Sequence, residues 1–311
     1  MISCDALSTD LSKPCTGILT DVLRFSLHDG PGIRTTAFFK GCPLRCAWCH
    51  NPETQSSAVE IEFREDKCQK CGDCLRANGV EPKPGESFDR NRCPDIHRAV
   101  EACPSGALRI VGRPWTVDEV TTEALKDSDY YAASGGGITL SGGEPLAQFE
   151  FASALLAAAQ RCGIHTCVET CGHVPSELLL AILPQVDLLL FDWKFTDPER
   201  HRAETGVPND LIRENLELAV ERTAVVLRCP LIPGVNDSDD HLQGIVALAK
   251  SLPRLKGIEV MPYHSGGAGK YERYGRRSPL PGLNAPSEQL VGTWMRKLKA
   301  APCNVTTQPV N

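Results

Sequence analysis

Residues 29–53 read DGPGIRTTAFFKGCPLRCAWCHNPE, and place Cys42, Cys46 and Cys49 in a C-x3-C-x2-C loop directly after a β-branched and aromatic run, RTTAFF at 34–39. Three thiols are an incomplete set for structural zinc, which takes four ligands from paired knuckles, and no partner pair flanks the loop. An iron-sulfur cube takes one thiolate per iron, so three thiolates hold a cube and leave one iron open to a ligand. Simple burial of the three on one helix face is the plainer alternative. Gly41, Pro43 and the Asn51-Pro52 pair argue against a helix there.

Beyond residue 113, short apolar runs alternate with amphipathic segments, the pattern of parallel strands joined by crossover helices. With 34–39, the runs GITLS (137–141), IHTCVE (164–169), VDLLLF (186–191), AVVLRC (224–229) and IEVMPY (258–263) make six strands. The stretches FEFASALLAAAQRC and DSDDHLQGIVALAKSL repeat apolar residues every three or four positions and read as covering helices. The expected fold class is α/β: a partial (β/α)6 barrel of the TIM kind, which builds its chemistry at the carboxyl ends of the strands. Polar residues stand at all six ends. They are Cys42, the Ser141–Pro145 run SGGEP, Glu169 with Thr170, Asp192 with Lys194, Arg228, and His264. Arg228 is read either as a cofactor-side contact or as an ion pair at the barrel mouth.

The 311 residues carry fifteen cysteines, eight of them between Cys42 and Cys103. No basic-then-apolar leader opens the chain, so this many thiols points to metal or redox chemistry in the cytoplasm rather than to disulfides. The net charge of -6 supplies no basic field for nucleic acid. No apolar run approaches the roughly 20 residues that span a bilayer. The scattered Cys4, Cys15, Cys162, Cys167, Cys171, Cys229 and Cys303 read as small buried apolar side chains or incidental thiols. Residues 1–16 read as a loosely held tail, 17–62 and 113–311 as a discontinuous barrel, and 63–112, rich in Cys, Pro and Gly, as an inserted module.

A two-cluster ferredoxin repeats C-x2-C-x2-C-x3-C-P, the fourth Cys of each run serving the other run's cluster. In the insert, Cys68, Cys71 and Cys74 are followed by Asn78 in the fourth place. A second run from Cys93 has Ile96 and Ala99 in its middle places and ends at Cys103-Pro104. One set is complete, Cys68, Cys71, Cys74 and Cys103, and it specifies a single accessory [4Fe-4S] cluster in a ferredoxin-like module. Cys93 as fourth ligand in place of Cys103, and a zinc-stapled insert, remain as alternatives.

The cysteine loop with Trp48 before its last thiol resembles the radical S-adenosylmethionine (SAM) superfamily. DGPGIRT upstream, CHNPE downstream, and SGGEP, ETCG, FDWK and MPYH in that order narrow the resemblance to the glycyl radical enzyme activating enzymes, the group that includes pyruvate formate-lyase activating enzyme. It extends over residues 17–303. The resemblance implies the radical SAM form of the barrel, with a [4Fe-4S] cluster on Cys42, Cys46 and Cys49 whose open iron chelates S-adenosyl-L-methionine. It implies that Gly142, Gly143 and Glu144 approach the methionyl amine, that Asp192 and Lys194 meet the methionyl end, Lys194 offsetting its carboxylate, and that His264 meets the ribose, with Trp48 at the cofactor. Glu169, Thr170 and Asp192 match a monovalent-cation site, Glu169 standing where better-known relatives have the shorter Asp. The implied activity is reductive cleavage of S-adenosylmethionine to a 5'-deoxyadenosyl radical, which takes hydrogen from a backbone glycine of a partner glycyl radical enzyme, with reduced flavodoxin or ferredoxin as electron donor. A radical SAM enzyme acting on a small molecule, or a ferredoxin-like electron carrier, are the other readings. The loop HSGGAGKYERYGRRSPLPG (264–282), with Lys270, Arg273, Arg276 and Arg277, is expected to form a docking surface or lid for the protein substrate.

Overall fold

The computed structural model describes residues 15–308. The expected tail lies outside the described residues except at its end, where Thr16 already opens the first strand. The strands are β1 (Thr16–Ser26), β2 (Arg34–Phe39), β3 (Glu60–Phe63), β4 (Leu108–Val111), β5 (Arg113–Thr116), β6 (Gly137–Gly142), β7 (His165–Thr170), β8 (Leu188–Asp192), β9 (Ala224–Leu231), β10 (Gly257–Pro262) and β11 (Asn304–Thr307). Nine of them form one open sheet in the order β11-β10-β9-β8-β7-β6-β2-β1-β5. From β2 to β11 every pairing is parallel, and β1 runs antiparallel to both of its neighbours.

The six expected strands are β2, β6, β7, β8, β9 and β10. They read clearly because a parallel sheet covered by helices buries its strands on both faces, leaving nearly unbroken apolar runs. Leu140, Val168, Leu189, Val225, Leu227 and Val260 are all fully buried. The covering helices start where short polar side chains cap them. Thr116 and Glu119 form a reciprocal capping box at Val117–Leu125, and Ser238 caps Asp239–Ser251 through the His241 amide. Helix Phe149–Arg161 turns Phe151, Leu155, Leu156 and Ala159 into the core.

Three sheet strands went unread. β1 is half exposed and interrupted by Asp21 and Arg24, so its apolar residues do not stand out. β5 and β11 are four-residue edge strands that bury none of their residues.

The inserted stretch pairs β3 with β4 in an antiparallel ribbon, Glu60 opposite Val111 and Phe63 opposite Leu108. Between them lie the short helices Asp73–Ala77 and Ile96–Glu101 around a small apolar cluster of Ile61, Leu75, Phe88, Cys93, Ala99 and Leu108. The paired ribbon begins at Glu60, three residues before the expected boundary.

Candidate active site

The cysteine loop keeps an irregular path because other parts of the chain hold its backbone. Gly41 N–H donates to Thr54 O (2.7 Å), Arg45 N–H to Thr205 O (2.7 Å) and Ala47 N–H to Glu204 O (3.1 Å). The Arg45 guanidinium folds back onto the carbonyls of Cys42 (2.6 Å) and Leu44 (2.8 Å). So held, Cys42, Cys46 and Cys49 all face one cavity of about 210 Å3 at the carboxyl ends of the strands. Burial pushes the Cys46 thiol up to about 12 and the Cys49 thiol to about 11, with Lys194 pulling both back. Among the described residues no three His, Cys, Asp or Glu side chains are gathered closely enough for one metal ion. A cube spreads its thiolates over separate irons, and three free thiols converging on one cavity fit that donor set.

The end of β6 forms the adjoining wall. Gly142 has φ +104°, and a Cβ there would sit 2.5 Å from Phe39 N; one on Gly143 would sit 2.3 Å from Gly41 O. Both positions therefore require glycine simply to let the strand end meet the cysteine loop. Gly143 N–H donates to Phe39 O and Glu144 N–H to Gly41 O, each at 2.8 Å. Glu144 departs from the reading that aimed it at the methionyl amine. It is fully buried, is absent from the cavity wall, and its carboxylate accepts from the Leu146 amide (3.1 Å), the Thr170 hydroxyl (2.9 Å) and the Cys171 amide (2.8 Å). Burial pushes this carboxyl up, and those donors oppose the shift. Glu144 thus staples the SGGEP segment to the ETCG segment.

Across the cavity, sheet register sets the charges. Asp192 on β8 lies beside Arg228 on β9, and Arg228 beside Glu259 on β10, so all three point to one face. Arg228 is an interior ion-pair hub, donating to Glu259 (2.7 Å), Glu169 (2.8 Å) and the His28 carbonyl (2.5 Å). Burial pushes the Glu169 carboxyl up, but Arg228 and Ser141 more than offset this and hold it below the usual carboxylate range. Lys194 Nζ meets the Asp192 carboxylate, and both line the cavity. These contacts bear on the expected monovalent cation. Glu169 and Asp192 each already have a protein cation on them, so the residues do not fit such an ion.

Trp48 walls the cavity and packs on Phe195, Ile232 and Tyr263. His264 lines it too, stacked on His50 with ring centroids 3.9 Å apart. Burial, then the charges of His264 and Lys270, lower His50 to about 4, so its imidazole is neutral. His50, Cys171 and Gln308 are cavity residues that sequence reasoning missed. His50 follows Cys49 directly, a signal that was available. Cys171, read as a small buried side chain or an incidental thiol, is buried, and it lines the cavity together with Cys42.

The basic loop, expected to form a docking surface or lid, is anchored to the rest of the chain by ion pairs. Its segment Ala268–Arg273 is helical, and Lys270 pairs with Glu53 (2.8 Å), Arg273 with Glu62 (3.2 Å) and Arg276 with Glu60. Arg277 alone of the four remains exposed. In the insert, Cys68, Cys71, Cys74 and Cys103 line one small cavity, while Cys93 is buried outside it with its thiol 3.6 Å from the Cys74 carbonyl.

An α/β sheet that gathers three thiols, a glycine-rich strand end and a Lys-Asp pair around one cavity defines a cluster-dependent enzyme class, and comparison with known proteins agrees. The radical SAM superfamily model matches residues 36–243. The isethionate sulfite-lyase activating enzyme of Nitratidesulfovibrio vulgaris is 40% identical over 306 residues, 94% of this chain and 97% of that protein. The choline trimethylamine-lyase activating enzyme of Oleidesulfovibrio alaskensis is 40% identical over 282 residues, 87% of this chain and 91% of that protein. The fold is also that of a radical SAM methyltransferase from Sphaerobacter thermophilus (TM-score 0.51, 14% identity, 88% of this chain and 66% of that one). The chain belongs to the radical SAM superfamily, in its branch of glycyl radical enzyme activating enzymes. The small-molecule and electron-carrier readings give way to that assignment. Among the described residues no helix is long and apolar enough to cross a membrane.

Proposed function

We propose that Cys42, Cys46 and Cys49 hold a [4Fe-4S] cluster that binds S-adenosylmethionine in the adjoining cavity, and that this chain activates a partner glycyl radical enzyme in the cytoplasm. The observation that carries the reading is the convergence of the three thiols with Gly142, Gly143, Asp192, Lys194 and His264 on a single cavity. When bound, the cluster and S-adenosylmethionine supply a one-electron reduction and a hydrogen-abstracting radical, chemistry that belongs to the cofactors. The protein's part is to bind and orient. Lys194, kept cationic beside Asp192, offsets a ligand carboxylate. The neutral His50–His264 stack presents ring edges to a ribose, and Trp48 closes the apolar side.

Cys68, Cys71, Cys74 and Cys103 hold the accessory [4Fe-4S] cluster in a ferredoxin-like insert, a reading supported by their shared cavity. Reduced flavodoxin or ferredoxin is the electron donor. The test is anaerobic reconstitution, dithionite reduction, and assay of 5'-deoxyadenosine, followed by formation of a glycyl radical on a candidate partner seen by electron paramagnetic resonance (EPR). Turnover that is lost in Cys46→Ala is expected. A Cys46→Ala protein that still cleaves S-adenosylmethionine would remove the assignment.

A further inference from the structure

The helix Ala268–Arg273 packs on the residues that close the cysteine loop, and none of its own residues lines the ligand cavity. Lys270 Nζ donates to Asn51 Oδ1 (2.9 Å) and Glu53 Oε1 (2.8 Å), and Arg276 donates to the Pro52 carbonyl (2.5 Å). At the helix entry, a Cβ on Gly267 would sit 2.7 Å from His50 Cα and 3.0 Å from the Cys49 carbonyl, so the two backbones are in close contact. Tyr271 is carried on this helix with 5% of its surface exposed, and its hydroxyl is fully buried with no hydrogen-bond partner among the described residues. A buried hydroxyl without a partner forfeits about 1–3 kcal/mol, so native proteins seldom leave one. After burial, the groups that act most strongly on this phenol are Cys49 and then Cys46. It stands away from the S-adenosylmethionine contacts, since it is not part of the cavity wall.

We infer that Tyr271 is a positioning residue for the cluster: its hydroxyl donates a hydrogen bond to a sulfur of the iron-sulfur group held by Cys46 and Cys49, and so sets the potential at which that group accepts an electron. The inference rests on the proposed assignment of the three thiols. A hydrogen bond to a cluster sulfur stabilises the reduced, more negative state, and such bonds are among the protein's means of setting a cluster potential. Tyr274 supplies the internal control. It is also buried, at 8% exposure, but the charges that act on it are Glu53 and Glu62 rather than the thiols.

The test uses the full-length reconstituted protein. Potentiometric EPR titration follows the reduced signal that changes on addition of S-adenosylmethionine, which separates this cluster from any accessory one. Tyr271→Phe is expected to move the midpoint to a more negative potential with iron content unchanged, and Tyr274→Phe to leave it in place. In the wild type after exchange into D2O, electron-nuclear double resonance is expected to show a deuteron coupled to the cluster that Tyr271→Phe lacks. Equal midpoints in wild type and Tyr271→Phe, or no exchangeable deuteron in the wild type, would overturn the inference while leaving the cluster assignment standing. If the wild type shows no signal sensitive to S-adenosylmethionine, both fall together.

Discussion

Replacing Arg228 with Met removes the interior guanidinium while keeping most of the side-chain length, and the structure indicates what it leaves behind. Arg228 is 1% exposed and serves Glu169 and Glu259, whose side chains are 19% and 22% exposed. Removing one member of a buried pair costs about 3–5 kcal/mol because the remaining charge is left uncompensated. Here each carboxylate keeps a route to water, so the lower end applies, about 3 kcal/mol, which for a chain of 311 residues lowers the melting temperature by about 5 °C. The assay is thermal and urea unfolding of wild type and variant under identical anaerobic conditions. The triple variant Arg228→Met, Glu169→Gln, Glu259→Gln is expected to regain most of the loss, since it removes the unpaired charges together with their partner. The pH dependence has a definite sign. Glu169 is depressed in the folded wild type, so its contribution is present above the unfolded carboxylate range, near 4.3, and is lost as pH falls through the lower folded value. Without Arg228 the carboxyl rises, and the gap between wild type and variant narrows on acidification from pH 7 towards 5. A single variant as stable as wild type, or a triple variant less stable than the single, would refute the reasoning.

Two further substitutions separate structural from ligand-binding roles. Glu144→Gln replaces a carboxylate that accepts three hydrogen bonds with an amide whose NH2 must face donors, so it is expected to lose about 2 kcal/mol in urea unfolding. If Glu144→Gln instead keeps wild-type stability and loses S-adenosylmethionine affinity in calorimetry, the staple described here is the wrong role. For the insert, Cys103→Ser is expected to lower iron by about four atoms per chain, the content of one cube, whereas Cys93→Ser keeps the wild-type content. The reverse pattern would exchange the two cysteines.

What the sequence disclosed and what it concealed follow from the range over which each feature is encoded. The cysteine loop and the six parallel strands are local: their residues are consecutive, and burial on both faces writes each strand as an apolar run. Arg228 is a different case, because its partners Glu169 and Glu259 lie 59 and 31 residues away and are brought to it by strand register. Glu144 looked like a ligand contact for the same reason, since its donors Thr170 and Cys171 belong to the next strand end. The basic loop shows what such non-local pairing can reveal. Read alone, Lys270, Arg273 and Arg276 are solvated cations; folded, they sit on Glu53, Glu62 and Glu60, more than 200 residues earlier, and Arg90 of the insert donates to the carbonyls of both Ile61 and Arg273. Glu53 belongs to the turn that closes the cysteine loop, and Glu60 and Glu62 to the first strand of the insert. The loop after β10 therefore ties the cysteine loop and the insert to one anchor, and the apparent appendage is held against the chemistry by side-chain pairs half removed from water. That anchor carries Tyr271 on its inner face, so the contacts that dock the insert also fix the residue inferred to act on the cluster.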